Sequence, residues 1–392
     1  MTTDLSDAID NPIDSIERSD DPVTDASHGD GGGPVPELPR RRQVRTVGPN
    51  GNFWYVVELG KNLKPGGVRR VRFWKQDIAV FRDHDGELHA VEDRCAHRQL
   101  PLSSGFVDGK TLVCTYHGWK YGGCGTCLDI SHELGKGRTR LPKIRIRSYP
   151  IKEQWGLVWL FPGDPDRAGD VPLPSIPQLE GEQPWPFVPI VATIKAHFSM
   201  IVENVCDFNH EYLHRRKQPF VKPTLREWKR EGDCIRVHYD TEFEHSAVAK
   251  LFMEGGAKDL NDIEIWYQYP YQGSDIGGKY IHWLFMLPED ERTTRCFFVF
   301  LFGPIHVPVF NRKMPEFLRK PILWITNKLY IEPLLGEDKW ALELEQEGFD
   351  RHPDAAQIEL NPALLHFQKM SLEKWEEYSQ PPARNRRQAR NG

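Results

Sequence analysis

The sequence predicts an α+β protein: a small all-β domain, then a larger antiparallel sheet with flanking helices. Three observations carry this. Short strand-like runs bounded by turn signals crowd residues 52–161. Longer and more apolar runs recur between residues 187 and 303. Helix-period segments gather toward the C-terminus.

Residues 1–45 are rich in Asp, Ser, Gly and Pro and show no hydrophobic period, so a disordered tail is expected, ending in the basic PRRRQVR. The all-β domain is placed at 46–163. Its strands are NFWYVVEL, VRRVRFW, QDIAVFRD, ELHAVED and WGLVWLF, with HDGE as a hairpin turn. The Pro-, Gly- and Asp-rich 161–186 reads as a linker. A second domain then spans 164–380, followed by a flexible basic tail at 381–392. Its strands are FVPIVATI, CIRVHYDTEF, IEIWYQYP, YIHWLFML and CFFVFLFG, the last apolar enough to be covered on both faces. Helices are expected over 203–216, 337–349 and PALLHFQKMSLEKWEEYS.

Composition narrows the function classes. The chain has 392 residues, enough for more than one domain and a sizeable core. A net charge of −5 gives no reason to expect a nucleic-acid partner. Seven cysteines, an odd and sparse set, do not form a disulfide framework. The acidic N-terminus carries no apolar leader, and no run is apolar enough to span a bilayer. A cytoplasmic protein is expected.

The chemistry concentrates in CAHRQLPLSSGFVDGKTLVCTYHGWKY, residues 95–121. Cys95 and His97 form one pair, Cys114 and His117 another. Thiolates and imidazoles suit either a structural zinc or a [2Fe–2S] cluster of Rieske type, with two Cys on one iron and two His on the other. The spacing favours the cluster, because each Cys–His pair falls on one short turn. A zinc finger would instead carry two histidines on one helix.

These motifs resemble the cluster-binding loops of Rieske non-haem iron oxygenases, the catalytic α subunits. Ala96, Gln99 and Thr115 stand where that family usually has Pro, Gly and Pro; these positions shape the loops rather than ligate. An extra CxxC, Cys124 and Cys127, reads as packed or surface thiols, with a redox or second-metal role as the alternative.

A cluster alone would make an electron carrier. NVCDFNHEYLH, residues 204–214, supplies a place to use the electrons. On a helix His210 and His214 would share one face, with Asp207 and Asn204 on the same stripe. Two His and a carboxylate make a facial triad for a mononuclear Fe(II), leaving positions open for O2. The resemblance extends here, to an Asn-x-x-Asp-x-x-His motif followed by a second His. It implies that Asp207 bridges to a cluster histidine, His117, of a neighbouring copy in a homotrimer. It also implies a third iron ligand from a late acidic helix. EDKWALELEQ points to Asp338, with Glu337 and Glu345 as rivals. His132, His197, His282 and His352 have no ligand spacing and read as structural or surface residues.

The resemblance implies a terminal oxygenase that hydroxylates or demethylates a hydrophobic substrate, monooxygenation being favoured over dioxygenation. The chain contains no dinucleotide fingerprint and no ferredoxin motif, so NAD(P)H electrons would come through a separate reductase, with or without a ferredoxin. A Rieske electron-transfer protein without oxygenase activity is the alternative. The segment 311–335 mixes Lys and Arg with Leu, Ile, Trp and Tyr, which suits a peripheral membrane contact or an ordinary packed helix pair.

Overall fold

The structure is a computed structural model and describes residues 3–4, 44–130, 143–214, 220–243, 262–278, 280–303, 306–307, 312–313, 316–355 and 358–379. The rest of the expected tails, 1–2, 5–43 and 381–392, and His132 lie outside the described residues.

The first domain is built from three small sheets. Val68–Phe73, Gln76–Arg82 and Leu88–Glu92 form one. The HDGE turn closes its second hairpin as expected. Glu87 N donates to Asp83 Oδ1 at 2.9 Å, and Gly86 supplies φ +92, which a side chain would resist. Tyr55–Leu59 pairs with Leu157–Leu160, which pairs with Ile151–Gln154. Four short strands, Phe106–Asp108, Thr111–Val113, Lys120–Gly122 and Cys127–Asp129, form the third.

The second domain is an eight-stranded sheet. Its order is Thr3–Asp4, Ile190–Ile194, Thr293–Phe302, Tyr280–Asp290, Tyr271–Ile276, Asp262–Gln268, Cys234–Phe243 and Phe220–Glu231. Every pairing is antiparallel except that of Thr3–Asp4 with Ile190–Val191. Phe220–Glu231 escaped the sequence reading because FVKPTLREWKRE is charged and carries Pro223. It is the sheet's outer edge, where a bulge between Val221 and Thr224 accommodates the proline.

Alternation along Thr293–Phe302 divides the core. Phe297, Val299 and Leu301 face the first domain and share one apolar cluster with Tyr55, Val57, Leu157 and Trp159. Cys296 and Phe298 face the other way, onto the helices Phe198–Cys206, Glu332–Arg351 and Pro362–Ser379, through Ile201, Leu342 and Phe367. The strand is therefore covered on both faces, as its composition required. Truncating a fully buried side chain such as Phe297 would cost about 3–5 kcal/mol.

Three expectations need correction. The helix expected over 203–216 stops at Cys206. Asp207 has φ −96 and ψ 96, and its carboxylate accepts the Asn209 N–H at 3.2 Å, an Asx turn that competes with further helix. The expected linker is packed: Ala168, Ile176 and Leu179 join the shared core, and Trp54 Nε1 donates to Val171 O at 2.8 Å. The expected tail ends inside the protein. Val44 and Arg45 are buried, and Arg45 makes a two-pronged ion pair with buried Glu203 at 2.9 and 2.8 Å. The helix Glu316–Thr326 continues through a π turn, Asn327–Ile331, into Glu332–Arg351. Among the described residues no helix is long and apolar enough to cross a membrane.

Candidate metal centres

The two loops carrying the Cys–His pairs repeat one backbone pattern. Gln99 N donates to Cys95 O and Gly118 N to Cys114 O, at 2.8 and 3.0 Å. Cys95 N donates to Leu100 O and Cys114 N to Trp119 O, at 2.8 and 2.9 Å. The fourth residue after each cysteine lies in the left-handed region, Gln99 at φ 61 and Gly118 at φ 70. Gln99 takes the conformation that glycine adopts freely, at a local cost of roughly 1–2 kcal/mol. The departure at Gln99 thus leaves the loop geometry unchanged.

Both cysteines are 2% exposed, and burial, with Cys95 close by, pushes the Cys114 thiol up. The two imidazoles sit 4.5 Å apart, centroid to centroid, and are half-buried. Trp119 stacks on His97 at 4.8 Å and nearly parallel, which fixes that ring. Tyr116 covers His117 at 3.8 Å and is itself 53% exposed. The Tyr121 hydroxyl accepts the Ala96 N–H at 2.9 Å and stands 3.3 Å from Cys95 Sγ.

Among the described residues, no three of Cys95, His97, Cys114 and His117 bring ligand atoms within 4.8 Å of one another. A single tetrahedral zinc would draw all four to one point. Two irons, one for the thiolates and one for the imidazoles, fit this separation. Among the described residues, neither cysteine of the CxxC joins a group of three metal-ligating side chains. Cys124 is exposed, with Sγ 3.3 Å from Thr126 Oγ1, and hydrogen bonds from the Thr126 hydroxyl and backbone N–H to the sulfur hold its thiol below the usual range. Cys127 is buried, which pushes its thiol up to about 11.

His210, His214 and Asp338 do meet: one ligand atom from each lies within 4.8 Å of the others. The histidines come from the turn after Cys206, not from a helix face; their centroids are 5.1 Å apart. The Asp207 backbone carbonyl accepts a hydrogen bond from His210 Nδ1, leaving Nε2 to face Asp338 at 3.7 Å. Asp338 Oδ1 is 3.1 Å from His214 Nε2 and accepts from Asn204 Nδ2 at 3.3 Å. Glu337 lies on the opposite side of His214, 2.9 Å from Nδ1. Burial depresses the His214 pKa, but the hydrogen bonds and charges of Asp338 and Glu337 outweigh it and leave the group raised.

This geometry separates the rivals. Asp338 is on the nitrogen side shared by both imidazoles. Glu337 is on the outer nitrogen of one, the position of a supporting carboxylate. Glu345 is engaged elsewhere, with Arg45 Nη2 at 3.3 Å. Asp207 meets His210 through its backbone carbonyl, while its carboxylate is engaged elsewhere. The carboxylate Oδ1 accepts from Asn209 Nδ2 at 2.8 Å and Asn361 Nδ2 at 3.2 Å, and the residue stays half-buried.

Of the histidines set aside from sequence, His197 is structural. It is buried, with Nδ1 2.7 Å from Ser199 Oγ and Nε2 3.0 Å from Val47 O. His352 is exposed. His282 is different. It lies on the sheet face that carries Leu284 and Met286, stacked on Phe300 at 4.7 Å and Phe298 at 5.8 Å. Burial depresses its pKa to about 4, with the Asp338 charge pulling the other way. Its Nε2 is enclosed and has no hydrogen-bond partner among the described residues. A lone histidine on a strand has no spacing signal, so sequence offered no way to single it out.

Comparison with known proteins identifies the two domains that carry these sites. A Rieske [2Fe-2S] domain model matches residues 53–150, and a vanillate O-demethylase oxygenase C-terminal domain model matches 194–370. A 4beta-methylsterol monooxygenase of Methylococcus capsulatus is 79% identical over 346 residues, 88% of this chain and 94% of that protein. Chlorophyllide a oxygenase of Arabidopsis thaliana is 32% identical over 41% of this chain and 28% of its own length. Among solved structures, dicamba monooxygenase bound to 3,6-dichlorosalicylic acid superposes with a TM-score of 0.66 at 19% identity, covering 84% of this chain and 98% of that one. NdmA of Pseudomonas putida CBB5 with caffeine gives 0.59 at 20% identity, covering 86% and 92%. These two establish a shared fold.

Proposed function

The chain belongs to the Rieske non-haem iron oxygenases, and on that premise we propose that it oxygenates the 4-methyl group of a sterol. It is an oxidoreductase of the monooxygenase type, the terminal oxygenase component rather than an electron carrier alone. The observation that carries the substrate reading is 79% identity to a 4beta-methylsterol monooxygenase across 88% of the chain. The reaction balances as C–H + O2 + 2 H+ + 2 electrons giving C–OH + H2O. NAD(P)H supplies the electrons through a separate reductase, with or without a ferredoxin.

In this reading Cys95 and Cys114 hold one iron of the cluster, and His97 and His117 hold the other. His210, His214 and Asp338 hold the mononuclear iron. When bound, the two groups deliver single electrons and activate dioxygen. The protein does the rest. Trp119 and Tyr116 orient the cluster imidazoles. Asn204 steadies Asp338, and Glu337 fixes the His214 ring by its outer nitrogen. Asp207, anchored by Asn209 and Asn361, is the proposed bridge to His117 of a neighbouring copy in a homotrimer.

A cytoplasmic enzyme reaching a sterol would work at a membrane surface. Trp324, Ile325 and Leu329 are 37, 48 and 76% exposed on consecutive turns, beside Lys320 and Lys328, and suit that peripheral contact. The test is turnover of a 4β-methylsterol with NADH, a surrogate reductase and 18O2. Label in a C4-hydroxymethyl product or its further oxidised form supports the reading. NADH consumption without labelled sterol overturns it. Flotation of the protein with neutral lipid vesicles, lost on replacing Leu329 and Ile325 by Ser, tests the membrane contact.

A further inference from the structure

Several apolar residues beside the mononuclear site are only partly buried. Phe300 and Ile276 come from the sheet; Val205 and Phe208 come from the segment leading to His210. Together these partly buried side chains form an apolar wall on the sheet face that carries His282. His282 sits in the same wall. It stacks on Phe300 and feels the Asp338 charge, and the residue is half-buried.

A buried imidazole nitrogen without a partner is costly. The contrast with His197, where both nitrogens are bonded, shows how the same fold satisfies a histidine that is purely structural. His282 stays neutral, so it can donate from one nitrogen and accept at the other. That pairing fits an alcohol, which also donates and accepts. On an otherwise apolar wall it is the polar group that would fix the orientation of a lipid-like molecule.

We propose that His282 positions the substrate by hydrogen-bonding its 3-hydroxyl group. The inference rests on the 4-methylsterol reading above. In such a sterol the methyl group and the hydroxyl stand on adjacent ring carbons. Any pose that brings the methyl to His210, His214 and Asp338 therefore brings the hydroxyl to the wall nearest them. One hydrogen bond there selects which end of the sterol enters and fixes C4 toward the iron. His282 is a positioning residue; the reacting atoms are handled by the metal ligands.

The experiment measures dissociation constants of a 4β-methylsterol and its 3-deoxy analogue for the metal-loaded oxygenase. Wild type, His282→Phe and His282→Gln are compared. The nitric oxide adduct of the ferrous site, followed by EPR, reports how each ligand perturbs the iron. Wild type should prefer the hydroxylated sterol about 10-fold or more. His282→Phe should lose that preference while binding the 3-deoxy analogue as wild type does, and its ferrous EPR should respond to both ligands alike. His282→Gln should recover part of the preference. An unchanged preference in His282→Phe overturns the inference, as does an equal loss of both ligands in the two variants, which would mark a packing role. The Rieske signal checks folding, and His282→Gln carries the test if Phe disturbs it. Wild type that neither binds nor oxygenates the sterol would overturn the substrate reading itself. Wild type that oxygenates it, with the preference intact in His282→Phe, would overturn only the role of His282.

Discussion

The Tyr121 hydroxyl lies 3.3 Å from Cys95 Sγ while accepting the Ala96 N–H at 2.9 Å. With one lone pair occupied by that amide, the hydroxyl proton is directed at the sulfur. A hydrogen bond to a cluster thiolate stabilises the extra negative charge of the reduced cluster. Tyr121→Phe should keep the brown colour and lower the cluster midpoint by roughly 40 mV, the equivalent of about 1 kcal/mol for one electron. EPR-monitored redox titration checks it; an unchanged midpoint would place the proton elsewhere.

The two centres should be separable by mutation. Cys95→Ser should bleach the protein and remove the Rieske signal. His210→Ala or His214→Ala should keep that signal, reduce iron toward two per chain and abolish oxygenation. Loss of colour in His210→Ala with turnover intact would reverse the assignment of the two sites.

Three acidic residues on one helix should respond differently. Asp338→Asn should lose the mononuclear iron. Glu337→Gln, which removes the carboxylate from the outer nitrogen of His214, should weaken iron binding by about 10–100-fold. Glu345→Gln should leave iron content unchanged, because its partner is Arg45. Iron titration into chelator-stripped protein ranks them.

Asp207→Asn should preserve both metals yet slow electron arrival at the mononuclear site. Single-turnover experiments with a pre-reduced cluster would show this as slow cluster reoxidation in the presence of substrate and O2. Reoxidation at the wild-type rate would remove Asp207 from the transfer route.

Arg45 and Glu203, 1% and 6% exposed, tie the N-terminal arm to the helix that leads into the iron site. Glu203→Gln leaves a buried guanidinium short of its carboxylate and should destabilise by about 3–5 kcal/mol, read as a lower denaturant midpoint. The double variant Arg45→Met/Glu203→Leu should recover much of that loss.

The candidate cluster residues were legible because local chemistry holds each pair. Cys95, His97, Cys114 and His117 sit on turns short enough for spacing to reveal them. The strands were legible where one or both faces are apolar, as in YIHWLFML and CFFVFLFG. What misled was geometry that only tertiary contacts decide. The i,i+4 spacing of His210 and His214 imitates a helical pair, yet the Asx turn at Asp207 breaks the helix and the histidines converge on Asp338 from a loop. Composition made 161–186 look like a linker, although Ile176 and Leu179 are core residues. Arg45 looked like the end of a tail because its partner, Glu203, is distant in sequence.

Because one apolar cluster joins Tyr55, Val57 and Trp159 to Phe297, Val299 and Leu301, the two halves of the chain have no hinge between them. The cluster loops cannot swing away to fetch an electron and return. An electron donor must come to them, at the surface where Tyr116 and half-buried His117 are reachable. Solvent viscosity should then slow the encounter with the donor but leave the transfer between the enzyme's own metals untouched. Any throttle on that internal step has to be a small local adjustment, such as a proton or a side-chain shift, rather than the travel of a domain.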